Sequence, residues 1–525
     1  MYCDKENVNL LTARLIETGI KDIVVSPGSR NAVLIHNFYE ASKIDNSFRL
    51  HPVTDERSAA FFAIGIWIVT HKPVAVCVTS GSALLNTLPA VAEAFYRQIP
   101  LVVISADRPQ RWIGQLDGQT IPQPGALRPY TETFSFEKCD SESCNRQYSM
   151  LRPLHINVPI EEPLFSFTTK ELPRGAKSLF DFGECDDVFD PMQIAGVINN
   201  SELPAVVMGQ YESGVIDELV ALDRENKLLL LPEIISNQPG AERTATLEAQ
   251  KAENIVLPTL VLHIGGNLVN KWLKLKLRRS NNLRVIRVDE TNDAPDTFSH
   301  LERKVKCNER NFFKAIAPLL RYNENVEKFK AAIGSEPQAS SPKEQIVVSL
   351  YDYIKKSDPS AMLFLGNSSV VRIAARLIES GEIPIYCNRG VNGIEGSVSV
   401  AAGCASVYDK NVYVIVGDLS FFYDVNSLWN SELNSNLRVV LLNDHGGAIF
   451  SKLDGLNNSA ALDPYISARH NSNAHGIALS YGCDYYALAN DKQLEDTLHS
   501  INMHNNNNKP IIIEYDTYLD NNQTV

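Results

Sequence analysis

The sequence predicts an α/β protein of three doubly wound, mainly parallel-sheet domains, the first and third related in topology. Short apolar runs rich in Val, Ile and Leu alternate with segments of helical periodicity, the pattern of βαβ units rather than of hairpins. The same order of strand, turn and helix occurs twice, early and late in the chain. At 525 residues the chain is too long for one core, so two to four domains are expected.

The first unit is placed at residues 1–170. Asn7 to Thr18 reads as a helix stopped by Gly19. Ile23 to Val25 is a short strand leading into Ser26-Pro27-Gly28-Ser29-Arg30, where Ser29 is expected to cap the next helix. Arg30 then falls in a first helical turn, where the dipole disfavours a cation. That hints at a ligand; the bland alternative is an arginine reaching solvent. Asp55-Glu56-Arg57 opens a long apolar helix, Ala59 to Val69, followed by strand Val74 to Val78 and the turn Thr79-Ser80-Gly81-Ser82. Strand Leu101 to Ser105 ends at Ala106-Asp107-Arg108-Pro109, and Leu154 to Val158 closes the unit.

The middle unit, residues 190–325, carries strand candidates Val206 to Gly209, Leu228 to Leu231, Thr259 to Gly266 and Leu283 to Asp289, between linkers near Phe165–Asp190 and Asn323–Lys343. Gly265-Gly266 lacks the GxGxxG spacing, so no dinucleotide site is assigned there. The third unit, residues 343–525, opens with FLGNSSVVR, which mirrors VVSPGSR of the first. Ile394-Glu395-Gly396 precedes a small-residue helix through Ala401-Ala402-Gly403. Strand Val412 to Val416 gives Gly417-Asp418-Leu419-Ser420, and Asp424 reads as the N-cap of a helix carrying Val425, Leu428 and Trp429. Strand Arg438 to Leu442 delivers Asn443-Asp444-His445-Gly446-Gly447. Pro510 to Ile513 is the last strand, and the Asn-rich stretch Met503 to Asn508 reads as a solvated loop.

Hydrophobic content of 44% and charged content of 21% are those of a globular protein. The net charge of −13 and the absence of a polybasic tract argue against a nucleic-acid partner. A polar, charged start and no apolar run of spanning length argue against a signal peptide or membrane insertion. Nine cysteines without metal-type spacing point to reduced thiols and a cytoplasmic setting.

The chemistry concentrates at Asp418 and Asp444. Adjacent parallel strands would set both carboxylates at one sheet edge, where open α/β folds bind ligands. Two carboxylates beside glycines suit a hard divalent ion clasping a diphosphate, since magnesium keeps one or two protein carboxylates and fills its octahedron with phosphate and water oxygens. Either dipeptide alone is ordinary turn punctuation; the ordered pair with a helix between is what carries weight.

Gly417-Asp418 followed downstream by Asn443-Asp444 resembles the diphosphate-binding motif of the thiamine-diphosphate-dependent enzymes. The resemblance implies thiamine diphosphate and Mg2+ (or Mn2+) as cofactors, with the metal held by Asp418, Asp444 and the main-chain carbonyl of Gly446. Asp444 departs from the Asn usual in that family. It also implies a pyrimidine-binding domain, a middle domain and a diphosphate-binding domain, with the cofactor lying between subunits of at least a homodimer, or of a homotetramer. Glu56 matches the acid that bonds the aminopyrimidine; Thr79, Ser80, Gly81, Gly417, Leu419 and Ser420 match cofactor contacts. Ile394 matches the aliphatic prop of the bent cofactor, and Ile449 and Phe450 match apolar residues of the pocket.

SPGSR, DER, TSG, ADRP, GNS…R, NRG…GI and GDLS…YD together resemble the branch of this family that serves menaquinone biosynthesis. That branch is a set of transferases that decarboxylate 2-oxoglutarate and add the four-carbon remainder to isochorismate. Both substrates are dicarboxylates, which guanidinium forks suit. The resemblance assigns substrate contacts to Ser29, Arg30, Arg108, Gln119, Lys271, Ser368, Arg372, Arg389 and Phe450, with Glu56, Ser29, Arg30, Gln119 and Arg389 at the chemistry. Gly118 precedes Gln119 where some relatives have Asn, and Trp272 stands where some have Arg. The alternatives are another thiamine-diphosphate enzyme acting on 2-oxoacids and a non-catalytic α/β binding protein.

Overall fold

The computed structural model describes residues 1–136, 146–181, 189–240, 244, 246–248, 256–333, 337–450, 453–504 and 508–517. Among the described residues it contains three large parallel sheets fed by helices, besides a two-stranded parallel pair, Tyr148–Ser149 with Phe180–Asp181. The first uses β1 (Asp22–Val25), β2 (Arg49–Pro52), β3 (Val74–Val78), β4 (Leu101–Asp107), β5 (Glu132–Ser135) and β6 (Leu154–Pro159) in the spatial order β2-β1-β3-β4-β6-β5. The middle sheet uses β7 (Pro204–Met208), β8 (Leu229–Pro232), β9 (Leu260–Ile264), β10 (Arg284–Asp289) and β11 (Leu301–Lys306), ordered β8-β7-β9-β10-β11. The third uses β12 (Met362–Leu365), β13 (Ile385–Tyr386), β14 (Val412–Gly417), β15 (Leu437–Asn443), β16 (Asp484–Leu488) and β17 (Ile511–Asp516), ordered β13-β12-β14-β15-β17-β16. First and third sheets therefore share one strand order, as their repeated motifs predict. Central strands such as β3, β4 and β12 are buried along their length, which explains their continuous rather than alternating apolar patterns.

The first and third units meet through two helices that are apolar nearly all round, Glu56–Thr70 and Ser397–Val407. Glycines let them approach. A Cβ on Gly65 would stand 2.0 Å from the Val400 carbonyl oxygen, and one on Gly403 would stand 2.0 Å from that of Phe62. Cys404 Sγ donates to the Gly65 carbonyl at 3.0 Å across the same contact. Gly65→Ala is therefore expected to destabilise the protein by about 1–3 kcal/mol through overpacking. Gly196→Ala, in a helix with nothing within 4 Å of the new methyl, is the neutral control. Thermal melts of the two variants check this.

The sequence expectations need correction in several places. The helix after β1 starts at Ala32, so Ser29 does not cap it and Arg30 precedes its first turn. Its N-cap position, Asn31, turns its amide instead onto the Ser26 carbonyl at 2.8 Å. Asp424 caps no helix of its own: Asp418–Tyr423 is the helix, and Val425–Leu428 is one 3-10 turn. Its carboxylate reaches back to Ser399, accepting from the backbone N–H at 2.8 Å and the hydroxyl at 2.7 Å, and so satisfies the start of the neighbouring Ser397 helix. Burial lifts the Asp424 pKa to about 6. Strand β11 has no counterpart among the expected strands. The stretch read as a linker after Asn323 contains the helix Glu324–Ala332, whose Val326 and Phe329 pack on the middle sheet. The helix Gln493–His504 runs into the expected Asn-rich loop, of which residues 505–507 lie outside the described residues.

Candidate active site

Because every strand in each sheet runs the same way, all the loops that carry candidate residues leave from carboxyl edges. In the third sheet Gly417 pairs with Leu442, so Asp418 and Asp444 emerge side by side. Asp418 is 3% exposed. Its Oδ1 accepts the Leu419 N–H at 2.7 Å, its Oδ2 accepts the Gly446 N–H at 2.7 Å, and His470 Nε2 lies 3.1 Å from Oδ2. Burial raises the Asp418 pKa, and the negative charge of Asp444 adds to the rise. Asp444 is held through Oδ2 by Lys343. Gly446 has φ +143°, and a Cβ there would meet the Ser467 carbonyl at 2.6 Å, so the turn admits only glycine. Its carbonyl, expected to face a metal, accepts the Ala448 N–H at 2.9 Å, leaving one lone pair.

These residues fit a divalent cation. Two carboxylates share one edge, the buried one is strained toward protonation, and the backbone around them is bare. Among the described residues no group of three or more His, Cys, Asp or Glu could hold a metal alone, so oxygens from a ligand are needed to complete a shell. Ser420 Oγ bonds the Ile394 carbonyl, tying this edge to the loop before the Ser397 helix. Half-buried Ile449 precedes Phe450, whose ring covers Gly447: a Cβ there would sit 2.5 Å from it.

At the first sheet's edge, Arg30 is buried, donating to the Ile160 carbonyl at 3.0 Å and to Glu162 Oε1 at 3.0 Å. Arg108 lies 3.9 Å from the same carboxylate oxygen and donates through Nε to the Gly118 carbonyl at 2.9 Å. Gln119, exposed and at φ +58°, packs its backbone over Gly81, whose own N–H donates to Gln123 at 2.8 Å. Thr79 and Ser80 are buried beneath, and Thr79 Oγ1 has no hydrogen-bond partner among the described residues. Arg30, Arg108, Gln119 and the Thr79–Gly81 turn thus form one cluster, with Ser29 preceding Arg30 in the chain. Glu56 opens its helix after Asp55, which caps the Ser58 N–H at 3.0 Å; its carboxylate accepts from Asn86 at 3.1 Å.

A third cluster is cationic. Arg389 is 8% exposed, donates to Asn367 Oδ1 at 3.2 Å and to the Leu268 carbonyl at 3.3 Å, and keeps a buried Nε with no hydrogen-bond partner among the described residues. Gly390 is required beside it, since a Cβ would stand 2.5 Å from the Glu93 carbonyl oxygen. The Glu93 carboxylate clasps the N–H groups of Gly390 and Val391, each at 2.8 Å. Asn367 pins the same loop through the Asn388 and Gly393 carbonyls. Arg372 bonds the Ser368 carbonyl at 3.0 Å, and desolvation, then the charge of Arg389, press its pKa down.

Lys271 is exposed, whereas Lys274, one turn further along the helix Lys271–Arg278, is half-buried. Burial, then the charges of Arg278 and Arg389, lower the Lys274 pKa. Sequence reasoning missed Lys274, although its i,i+3 spacing from Lys271 was visible. It also missed Glu233, a buried acid in the field of Arg389 whose pKa burial pushes up to about 7. His470 and Lys343, which touch the two aspartates, carried no local signal at all. A cavity of about 1520 Å³ opens where the three large sheets meet; it touches the cationic cluster through Leu268, Arg389 and Gly390.

Residues 6–126 match the thiamine pyrophosphate enzyme N-terminal TPP binding domain, and residues 366–515 the C-terminal TPP binding domain. The 2-succinyl-5-enolpyruvyl-6-hydroxy-3-cyclohexene-1-carboxylate synthase of Bacteroides thetaiotaomicron is 37% identical over 98% of this chain and 96% of its own length. The chain belongs to that synthase family. The synthases of Flavobacterium johnsoniae, at 34% identity over 94% of the chain and 93% of theirs, and of Desulfotalea psychrophila, at 32% over 92% and 93%, extend the likeness. Benzoylformate decarboxylase from Polynucleobacter necessarius shares the fold, with a TM-score of 0.73 at 14% identity over 98% of this chain and 99% of that one. Glu56 falls in the segment matching the N-terminal TPP binding domain, and Asp418 and Asp444 in the one matching the C-terminal domain. No helix of the described residues is long and apolar enough to cross a membrane.

Proposed function

We propose that this chain, with thiamine diphosphate and a divalent metal bound, decarboxylates 2-oxoglutarate and adds the four-carbon remainder to isochorismate, releasing carbon dioxide. The observation that carries the choice of substrate is the cationic cluster: Arg389, Arg372 and Lys274 converge within an acidic protein, and Arg389 has a buried donor still unspent. Enzymes acting on a monocarboxylate have no need of so many cations.

Asp418 and Asp444 would hold the metal against the diphosphate, with Gly446 giving room. The cofactor supplies the electron sink for the bond that carbon dioxide leaves. Arg389 and Arg372 orient substrate carboxylates away from the reacting carbon, and Ser29, Arg30, Arg108 and Gln119 do the same for the second substrate. Phe450 and Ile449 keep water out, and Glu56 holds and returns a proton at the aminopyrimidine nitrogen. Ile394, whose carbonyl accepts from Ser420, would pack against the bound cofactor. In a homodimer, Glu56 of one copy and Asp418 of the other would hold the two ends of the cofactor. Exposed Leu85, Tyr423 and Trp429 beside the Glu56 turn support a covering subunit there.

Incubation with 2-oxoglutarate and isochorismate, cofactor and Mg2+ present or withheld, followed by product mass and released carbon dioxide, tests the reading. Pyruvate consumed in preference to 2-oxoglutarate would overturn it. Arg389→Ala is expected to raise the KM of a carboxylate substrate roughly 10²–10³-fold, the loss of a buried charged hydrogen-bond partner. Arg389→Lys should recover only part of that, because an ammonium cannot form the fork. Steady-state kinetics decide; a fall in kcat with KM intact would contradict the role.

A further inference from the structure

We infer that Lys343 is the residue that sets the affinity of the metal site, by making Asp444 behave as a neutral ligand. The inference rests on the reading of Asp418 and Asp444 as metal ligands. An asparagine at position 444 would offer a cation one oxygen and no charge. An aspartate offers two oxygens and a full negative charge beside Asp418.

The structure shows what offsets it. Lys343 Nζ lies against Asp444 Oδ2, with the two side chains 16% and 13% exposed. Among the described residues the polar contacts of the Asp444 carboxylate go through Oδ2 to Lys343, leaving Oδ1 for the metal. Together the ammonium and carboxylate sum to zero and present one oxygen, which is what an asparagine presents.

The placement of Lys343 supports a role beyond its own helix. It is the second residue of Pro342–Ser357, in a first turn where the helix dipole disfavours a cation. Its stem is folded inward to the carboxyl edge of the third sheet rather than extended into water, where a surface lysine gains its solvation. A half-buried pair in which one partner is removed leaves the other uncompensated, so the two residues should act as a unit.

The test is Mn2+ binding, read as loss of the free aqueous Mn2+ electron paramagnetic resonance signal, at one pH and with saturating thiamine diphosphate. Lys343→Met is expected to bind Mn2+ roughly tenfold more tightly than the parent, the effect of removing one unit charge a few ångströms from the ion. Asp444→Asn, which leaves Lys343 unpaired beside the metal, should bind roughly 10²-fold more weakly. The double variant should return to within about threefold of the parent, so that removing Lys343 has a larger effect in the Asp444→Asn background than in the parent. Melting curves establish that all four proteins are folded. A Lys343→Met protein that binds no more tightly than the parent, or the same factor in both backgrounds, overturns the inference. Asp418→Ala separates the two levels: if it binds Mn2+ as the parent does, the metal-site reading itself fails.

Discussion

Glu56→Gln is expected to lower kcat by roughly 10²–10⁴-fold, the range lost when a positioned general acid–base group is removed, while the KM values of both substrates stay within about threefold of the parent. The substitution is nearly isosteric. It keeps the acceptor for Asn86 and leaves the Asp55 cap, which holds the helix start, untouched. What it removes is the carboxyl group's capacity to take up and return a proton, the role proposed for Glu56. Steady-state kinetics with each substrate varied in turn give the split, and a melt with and without thiamine diphosphate shows that the cofactor still binds. An unchanged kcat would take Glu56 out of the chemistry and leave it as a helix-opening acid.

Asp418→Ala is expected to abolish productive cofactor binding, raising the thiamine diphosphate requirement roughly 10²–10³-fold, as when one member of a buried, hydrogen-bonded charge set is deleted. The side chain is 3% exposed and gathers the N–H groups of Gly446 and Leu419 together with His470. On the proposed reading the variant loses a metal ligand, and it slackens the Gly446 turn that Asp418 holds. Differential scanning fluorimetry distinguishes these effects. In the parent, thiamine diphosphate with Mg2+ should raise Tm, since a ligand at a hundred times its Kd contributes about 2.7 kcal/mol. In Asp418→Ala the shift should vanish at the same concentrations. A shift of parental size would place the diphosphate elsewhere.

The strand edges were legible because their signal is local. An apolar run ending in Gly-Asp or Asn-Asp declares both a buried parallel strand and the loop beyond it, and β14 and β15 lie within a residue of where their patterns put them. The common strand order of the first and third sheets was legible for the same reason, as a repeated succession of turns. Local reasoning failed where a side chain answers to a distant partner. Asp424 looks like a helix cap and does cap a helix, but the one beginning at Ser397. Arg30 looks misplaced against a dipole it does not face, because the helix begins only at Ala32 and the guanidinium turns toward Ile160 and Glu162.

By itself the chain's order of residues specified three α/β units, the family they belong to and the identity of the chemical groups at each strand end, since hydrophobic periodicity and turn chemistry are carried by neighbours in sequence. Which of those groups stand together was decided only in three dimensions. Lys343 beside Asp444, His470 beside Asp418 and Lys274 in the field of Arg389 are pairings whose energy comes from burial and from charges brought close in a medium of low polarity. Such energies exist only once the sheets have packed, so no stretch of sequence displays them.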